Sequence, residues 1–240
     1  MASFPPLPPA PMELRAFADD ATVAQQAAQF IAAQARAAVR ERGRFKLAVS
    51  GGHTPWAMLR ALADCDLPWQ NVHLFQVDER VAPAGDPDRN WTHIGDSFLA
   101  HAPLPAANAH PMPVEATDLA SAAAAYARTL ATIAGTPPLL DVVHLGLGPD
   151  GHTASLVPGD PVLAEDHAQV AITAPYMGHR RMTVTYPLLD RARCVLFVVT
   201  GADKAAMVAR VARRDPRIPA GRVTGERALI FADAAAAGTP

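Results

Sequence analysis

The chain has 240 residues, half of them apolar and 18% charged, with a formal net charge of −2 at neutral pH and a mean hydropathy of +0.08. That composition excludes a disordered chain, and at this length roughly 70 to 75% of the unfolded surface should be buried on folding. It also excludes a global electrostatic field able to hold nucleic acid or an anionic membrane, so any anion must be met by a local site.

The first twelve residues, MASFPPLPPAPM, lack a basic start and a long apolar run. They read as a loose proline-rich arm, neither signal peptide nor membrane span, ahead of a single α/β domain over 13–240. ELRAF is a short strand, and Asp19 or Asp20 can cap a long helix whose inward face uses Val23, Ala27, Phe30, Ile31, Gln34 and Ala38 and which stops near Gly43. FKLAVS is a continuous apolar strand, followed by a Gly-Gly turn and a helix from Pro55 to about Ala63. The unit repeats as VHLFQVD (72–78), a polar loop, and a helix near Thr92 to Ala100, with an alanine-rich helix from Asp118 to Ile133 after a proline-rich connection.

LDVVHLGL and RCVLFVVTG (193–201) are further buried strands, the second running into a helix from Ala202 to Arg213. QVAITA and RRMTVTYPLL between them have the alternation of exposed or antiparallel strands, and RALIFAD is the last strand. The expected fold is therefore α/β, a mainly parallel sheet flanked by helices with a small antiparallel portion. Ligands in such sheets collect beyond the carboxyl ends of the strands. Cys65 and Cys194 stand 129 positions apart in apolar settings and read as buried thiols of a reducing, cytoplasmic compartment. No apolar run approaches the roughly 20 residues of a membrane helix.

GLGPDGHTAS (146–155) follows one of the buried strands, and Gly146, Gly148 and Gly151 match G-x-G-x-x-G. A dinucleotide site fails here, because Pro149 interrupts the loop and Pro158, Gly159 and Pro161 leave room for barely two helical turns. What the loop carries instead is Asp150 and His152, a titratable pair on permissive backbone at a strand's carboxyl end, which suits general acid/base chemistry. Asp150 can equally cap a short helix beginning near His152, and the two roles are compatible.

SGGHTP places Ser50, Gly51 and Gly52 between a strand and a helix start, where N–H groups can converge on an oxyanion with Thr54 adding a hydroxyl, although a capped Gly-Gly turn explains the same residues. Arg80, Arg181 and Lys204 all fall at the inferred ligand side, where they could surround a phosphate. Neither a nucleophile elbow nor a zinc motif is found, so no metal is expected, and His53, His73, His93 and His144 read as structural or exposed.

SGGHTP, VDERVAP…DRN, LGLGPDGHTASLVPG, RRMTVTYPLL and VTGADKA, in this order over residues 50 to 206, resemble the motif set of the 6-phosphogluconolactonases. The resemblance implies a Rossmann-like fold of the sugar-phosphate isomerase/deaminase type and cytoplasmic hydrolysis of 6-phospho-D-glucono-1,5-lactone in the oxidative pentose phosphate pathway. His152 and Asp150 would be catalytic; Ser50, Gly51, Gly52, Thr54, Arg181 and Lys204 would hold the phosphate; Asp78, Arg80 and Asn90 would flank the sugar; and N–H groups from Gly148 to Gly151 would meet the oxyanion. No cofactor is implied, the partner is a small sugar-phosphate lactone, and a monomer is expected.

The related deaminases carry D-E-Y where this chain has Asp78-Glu79-Arg80, and a glutamate where it has Val157. Both differences favour the lactonase branch over a deaminase or isomerase, while the retained Asp150 and His152 disfavour a non-catalytic sugar-phosphate sensor. The chain departs from the lactonase pattern at Val157, usually phenylalanine, at His53, often a small residue, and in a tail without tryptophan.

Overall fold

A computed structural model describes residues 11–225 and 227–238, with the side chain of His53 excepted. Most of the proline-rich arm thus lies outside the described residues. Met12 already belongs to the fold: it is buried, and its N–H donates to Ala212 O at 2.9 Å.

The strands are β1 (Glu13–Phe17), β2 (Phe45–Val49), β3 (Val72–Gln76), β4 (Asp78–Arg80), β5 (Ala109–His110), β6 (Val142–Leu145), β7 (Val170–Ile172), β8 (Arg181–Val184), β9 (Val195–Val199) and β10 (Ala228–Asp233). The α-helices are α1 (Asp20–Arg42), α2 (His53–Ala63), α3 (Asn90–Ile94), α4 (Leu119–Ala134), α5 (Tyr186–Leu189), α6 (Ala205–Ala212) and α7 (Ala234–Ala237). Seven strands form one parallel sheet in the order β1-β10-β9-β6-β2-β3-β5, and β4-β8-β7 form a small antiparallel sheet.

The parallel sheet is apolar on both faces because both are covered. Leu47 and Val49 point into a core shared with α1 and α2, while Ala48 points into the opposite core with α4, α6 and the small sheet. Leu196 and Val198 alternate with Phe197 and Val199 in the same way. Asp19 caps α1, its carboxylate accepting from Thr22 N at 2.7 Å, and Gly43 ends it at φ 75°. The buried stripe of α1 is alanine-lined, with Val23, Ala27, Ile31 and Ala38 joined by Ala24, Ala28, Ala32 and Ala35. Phe30 and Gln34 are only partly buried, at the stripe's margin, and Phe30 meets the Phe231 ring of β10 at 5.5 Å.

The antiparallel pair foreseen in QVAITA and RRMTVTYPLL exists, but β8 is buried throughout rather than exposed, since it is the middle strand of a sheet laid on the main core. The helix foreseen near Thr92 starts at Asn90 and continues through a π-helical turn at Gly95–Leu99. Cys194 is buried, which pushes its thiol up to about 11, and Cys65 is partly exposed; both are free.

The chain runs from β2 outward to β3 and β5, then crosses back to β6 on the other side of β2. The sheet therefore changes direction between β2 and β6, and loops leaving β2, β3, β6 and β9 meet above that point.

Candidate active site

Those loops enclose a cleft of about 260 Å³ lined by residues of all four. From β2 come Ser50 and Gly51; from the β3–β4 side, Asp78, Arg80 and Asn90; from β6, Gly148 and His152; from β8 and the segment after β9, Arg181 and Lys204. A larger cavity of about 630 Å³, lined by Ala84, Trp91 and Pro113 among others, has no histidine and one arginine, Arg89, in its lining, so the chemistry points to the smaller one with its imidazole and three cations.

The β6 loop is shaped by its glycines. Residues 148–151 turn sharply, Gly151 N donating to Gly148 O at 3.0 Å with Gly151 at φ 84°, and Gly148 N donating to His152 O at 2.9 Å. The imidazole folds back over Gly148, where a Cβ would stand 2.1 Å from Nδ1. No helix follows, because the chain turns again through a bridge between Thr153 and Leu156; the expected short helix is absent.

Asp150 Oδ1 still accepts from His152 N at 3.1 Å, as a cap would, and lies 2.6 Å from His152 Nδ1. Burial works to raise the Asp150 carboxyl, but the hydrogen bond from His152 N–H and the attraction of the imidazole outweigh it and hold the carboxyl below its ordinary value. With Nδ1 engaged by a carboxylate, Nε2 is the nitrogen left to act on a ligand.

The N–H groups of Gly148 and Gly151 are thus spent inside the loop, which corrects the expectation that they meet an oxyanion. Gly151 serves packing instead: a Cβ there would be 2.7 Å from Ile218. Thr54 is also displaced from its expected place. Its hydroxyl lies 2.7 Å from that of Thr200, and it lines a separate cavity with Asp20 and Ala57. Gly52 caps α2 at φ 118°, and the N–H groups of Gly51 and Gly52 have no acceptor among the described residues. Gly51 must be glycine, since a Cβ would meet Asn90 Oδ1 at 2.0 Å.

The cationic wall follows from strand register. Arg80 and Arg181 are direct partners across the antiparallel β4–β8 pair, and period-two alternation puts Asp78 on the same face. Like charges opposite one another destabilise a sheet unless a counter-ion joins them. Arg181 is buried, which pushes its guanidinium down from its ordinary value, and the Nε of both arginines has no acceptor among the described residues. Asp78 is held by Ser155 Oγ at 2.7 Å, and among the described residues Lys204 pairs only with its exposed neighbour Asp203 at 3.3 Å.

Glu79, absent from the sequence-based site, organises this wall from behind. It is fully buried and faces away from the cleft, accepting from Gln76 Nε2 at 2.8 Å, Arg80 N at 2.8 Å, Asn90 N at 2.8 Å and Trp91 N at 2.7 Å. Its carboxylate caps α3 in place of Arg89, whose side chain makes no cap. A signal was present in the central Glu of DER, but a cap supplied from another strand leaves no local spacing to read.

His144 at the end of β6 is fully buried, which drives its imidazole down to about 3, and its Nδ1 accepts the Ser50 N–H at 3.3 Å behind the glycine turn.

Residues 18–231 match the family model described as glucosamine-6-phosphate isomerases/6-phosphogluconolactonase. A 6-phosphogluconolactonase of Synechocystis sp. is 42% identical over 171 residues, 70% of this chain and 71% of that protein. The solved structure of 6-phosphogluconolactonase from Trypanosoma brucei superposes with a TM-score of 0.83 at 26% identity, covering 95% of this chain and 98% of that one. A monomeric glucosamine-6-phosphate deaminase superposes with a TM-score of 0.81 at 17% identity, covering 95% of this chain and 100% of that one, which is a likeness of fold. The chain belongs to the glucosamine-6-phosphate isomerase/6-phosphogluconolactonase family.

Proposed function

We propose that the chain hydrolyses 6-phospho-D-glucono-1,5-lactone to 6-phospho-D-gluconate, the step of the oxidative pentose phosphate pathway carried by its lactonase relatives. The observation that carries this reading is the meeting of one imidazole and three cations, His152 with Arg80, Arg181 and Lys204, around a single cleft.

His152 acts as general base. Its Nδ1–H is donated to Asp150, so the Nε2 lone pair can draw a proton from water as the water oxygen bonds to C1. The bond from C1 to the ring oxygen then breaks, that oxygen takes the proton back from Nε2, and the new carboxylic acid ionises in water. Asp150 orients the imidazole and stabilises its protonated form. A strained ester of this kind already hydrolyses slowly unaided, so no covalent nucleophile is required.

The 6-phosphate is held at the other end of the cleft by the Gly51 and Gly52 N–H groups with Lys204 and Arg181, as charge-assisted bonds that position C1. Asp78, Arg80 and Asn90 line the sugar's flank. With the Gly148 and Gly151 N–H groups engaged inside their own loop, charge developing on the carbonyl oxygen falls chiefly to the cleft's cations. Val157 is buried at the position where deaminases carry a glutamate, so no carboxylate stands there.

The test is lactone disappearance, corrected for spontaneous hydrolysis. His152→Ala should lose on the order of 10²- to 10⁴-fold in kcat, and the wild type should discriminate strongly against unphosphorylated gluconolactone. A folded His152→Ala variant with full turnover, or equal use of both lactones, contradicts the reading.

A further inference from the structure

Asp150 offers His152 only one of its two carboxylate oxygens. The other, Oδ2, lies 3.4 Å from the hydroxyl of Tyr176. Tyr176 sits on the hairpin joining β7 to β8, immediately before a two-residue turn in which Met177 (φ 49°) and Gly178 (φ 84°) both take left-handed backbone. Tyr176 N donates to His179 O at 2.9 Å, which sets the register, and His179 Nε2 pins the hairpin to Asp88 Oδ2 at 3.0 Å. The Tyr176 ring meets the His152 imidazole edge-on with centroids 5.7 Å apart and carries the Arg181 guanidinium 5.1 Å from its own centroid.

We propose that Tyr176 is a positioning residue for this site: its hydroxyl donates to the second oxygen of Asp150 while its ring seats both the His152 imidazole and the Arg181 guanidinium. One side chain thereby ties the base to the cation that holds the substrate. The inference rests on the reading of His152 as base. It is supported by the state of the phenol, which burial and then the adjacent Asp150 charge raise above its ordinary value, so that it remains a donor at neutral pH.

Hydroxyl and ring make separable contributions. The hydroxyl draws negative charge from the carboxylate and so limits how far Asp150 stabilises the imidazolium. Without it, His152 should protonate more readily. The other charged groups around the cleft, Asp78, Arg80, Arg181 and Lys204, are unchanged by loss of one oxygen. The ring supports Arg181 by cation–π attraction, a contribution that survives in phenylalanine and not in an aliphatic residue.

Tyr176→Phe and Tyr176→Leu are compared with the wild type by pH-resolved kinetics and by NMR titration of the His152 ring. In Tyr176→Phe the KM should be unchanged, while the His152 titration and the acid limb of kcat/KM move up by a few tenths of a pH unit. Tyr176→Leu should show the same upward move and in addition a KM raised about 2- to 5-fold. Tyr176→Phe keeps the ring and so the hairpin packing, which separates the effect from misfolding. A His152 titration identical in Tyr176→Phe and wild type overturns the inference, as does a KM in Tyr176→Leu equal to that of Tyr176→Phe. The titration needs no turnover, so it decides the link to Tyr176 even if His152→Ala removes the functional reading.

Discussion

Gly148 lacks a side chain because the imidazole of His152 occupies that volume. This is a steric requirement rather than a conformational one, since Gly148 is not among the residues with positive φ. Gly148→Ala should therefore leave the fold intact and displace the His152 imidazole. A methyl 2.1 Å from Nδ1 must push the ring by roughly 1 Å, and misplacement of that size costs about 100-fold in kcat. Steady-state kinetics with circular dichroism as a folding control would check it, and near-normal kcat would show that the ring's seat does not matter. The same reasoning separates the glycines of the loop: Gly151 makes room for Ile218 and takes φ 84°, serving the scaffold, while Gly148 serves the site.

At the level of elements, the short α3 exists because a carboxylate from β4 caps it. Five residues cannot sustain a helix by propensity alone, and Glu79 supplies acceptors to Asn90 N and Trp91 N from another part of the chain. Glu79 also lies 3.5 Å from Arg89 Nε, and Arg89 in turn bonds Glu115. Glu79→Gln removes the buried charge while leaving Arg89 buried, which should destabilise the protein by about 3 kcal/mol. Because Asn90 and Arg80 are both held through Glu79, KM should rise with the fall in unfolding free energy. Urea denaturation beside substrate titration reads both, and a variant as stable as the wild type would mean the network is dispensable.

For the molecule as a whole, imidazoles withdrawn from water, His144 fully and His110 in part, set the response to acid. Burial holds His144 down to about 3 and His110 to about 4, against an ordinary value of 6.5. Below about pH 6.5 the unfolded chain binds protons that the folded chain refuses, so stability is full above that pH and is lost as pH falls toward the folded values. His144 alone should cost about 1.4 kcal/mol per pH unit within this window. Carboxylates with lowered values, Asp150 and Asp215 among them, lose their contribution only lower, as pH falls through the ordinary carboxylate range. Urea unfolding at pH 7.0 and pH 5.5 should therefore differ by at least this amount, and equal midpoints would contradict the assignment. Since His144 Nδ1 holds the Ser50 N–H, its protonation would also loosen the glycine turn of the cleft.

The alternation of aliphatic strands with helices, the Asp19 cap, and the placement of Asp150 and His152 after a buried strand were legible because each depends on residues near one another in the chain. Hydrophobic period and local capping are short-range physics, and they sufficed for the fold class and for placing Asp150 beside His152. Which loops meet was settled only by strand order, which put β6 beside β2 and brought residues about 100 positions apart to one cleft. Strand pairing likewise set Arg80 opposite Arg181 and turned Glu79 away from the cleft, and strand order brought Thr54 to Thr200. Hydrogen-bond partners of buried groups are chosen by desolvation among whatever the tertiary fold brings near, so no spacing in the chain encodes them.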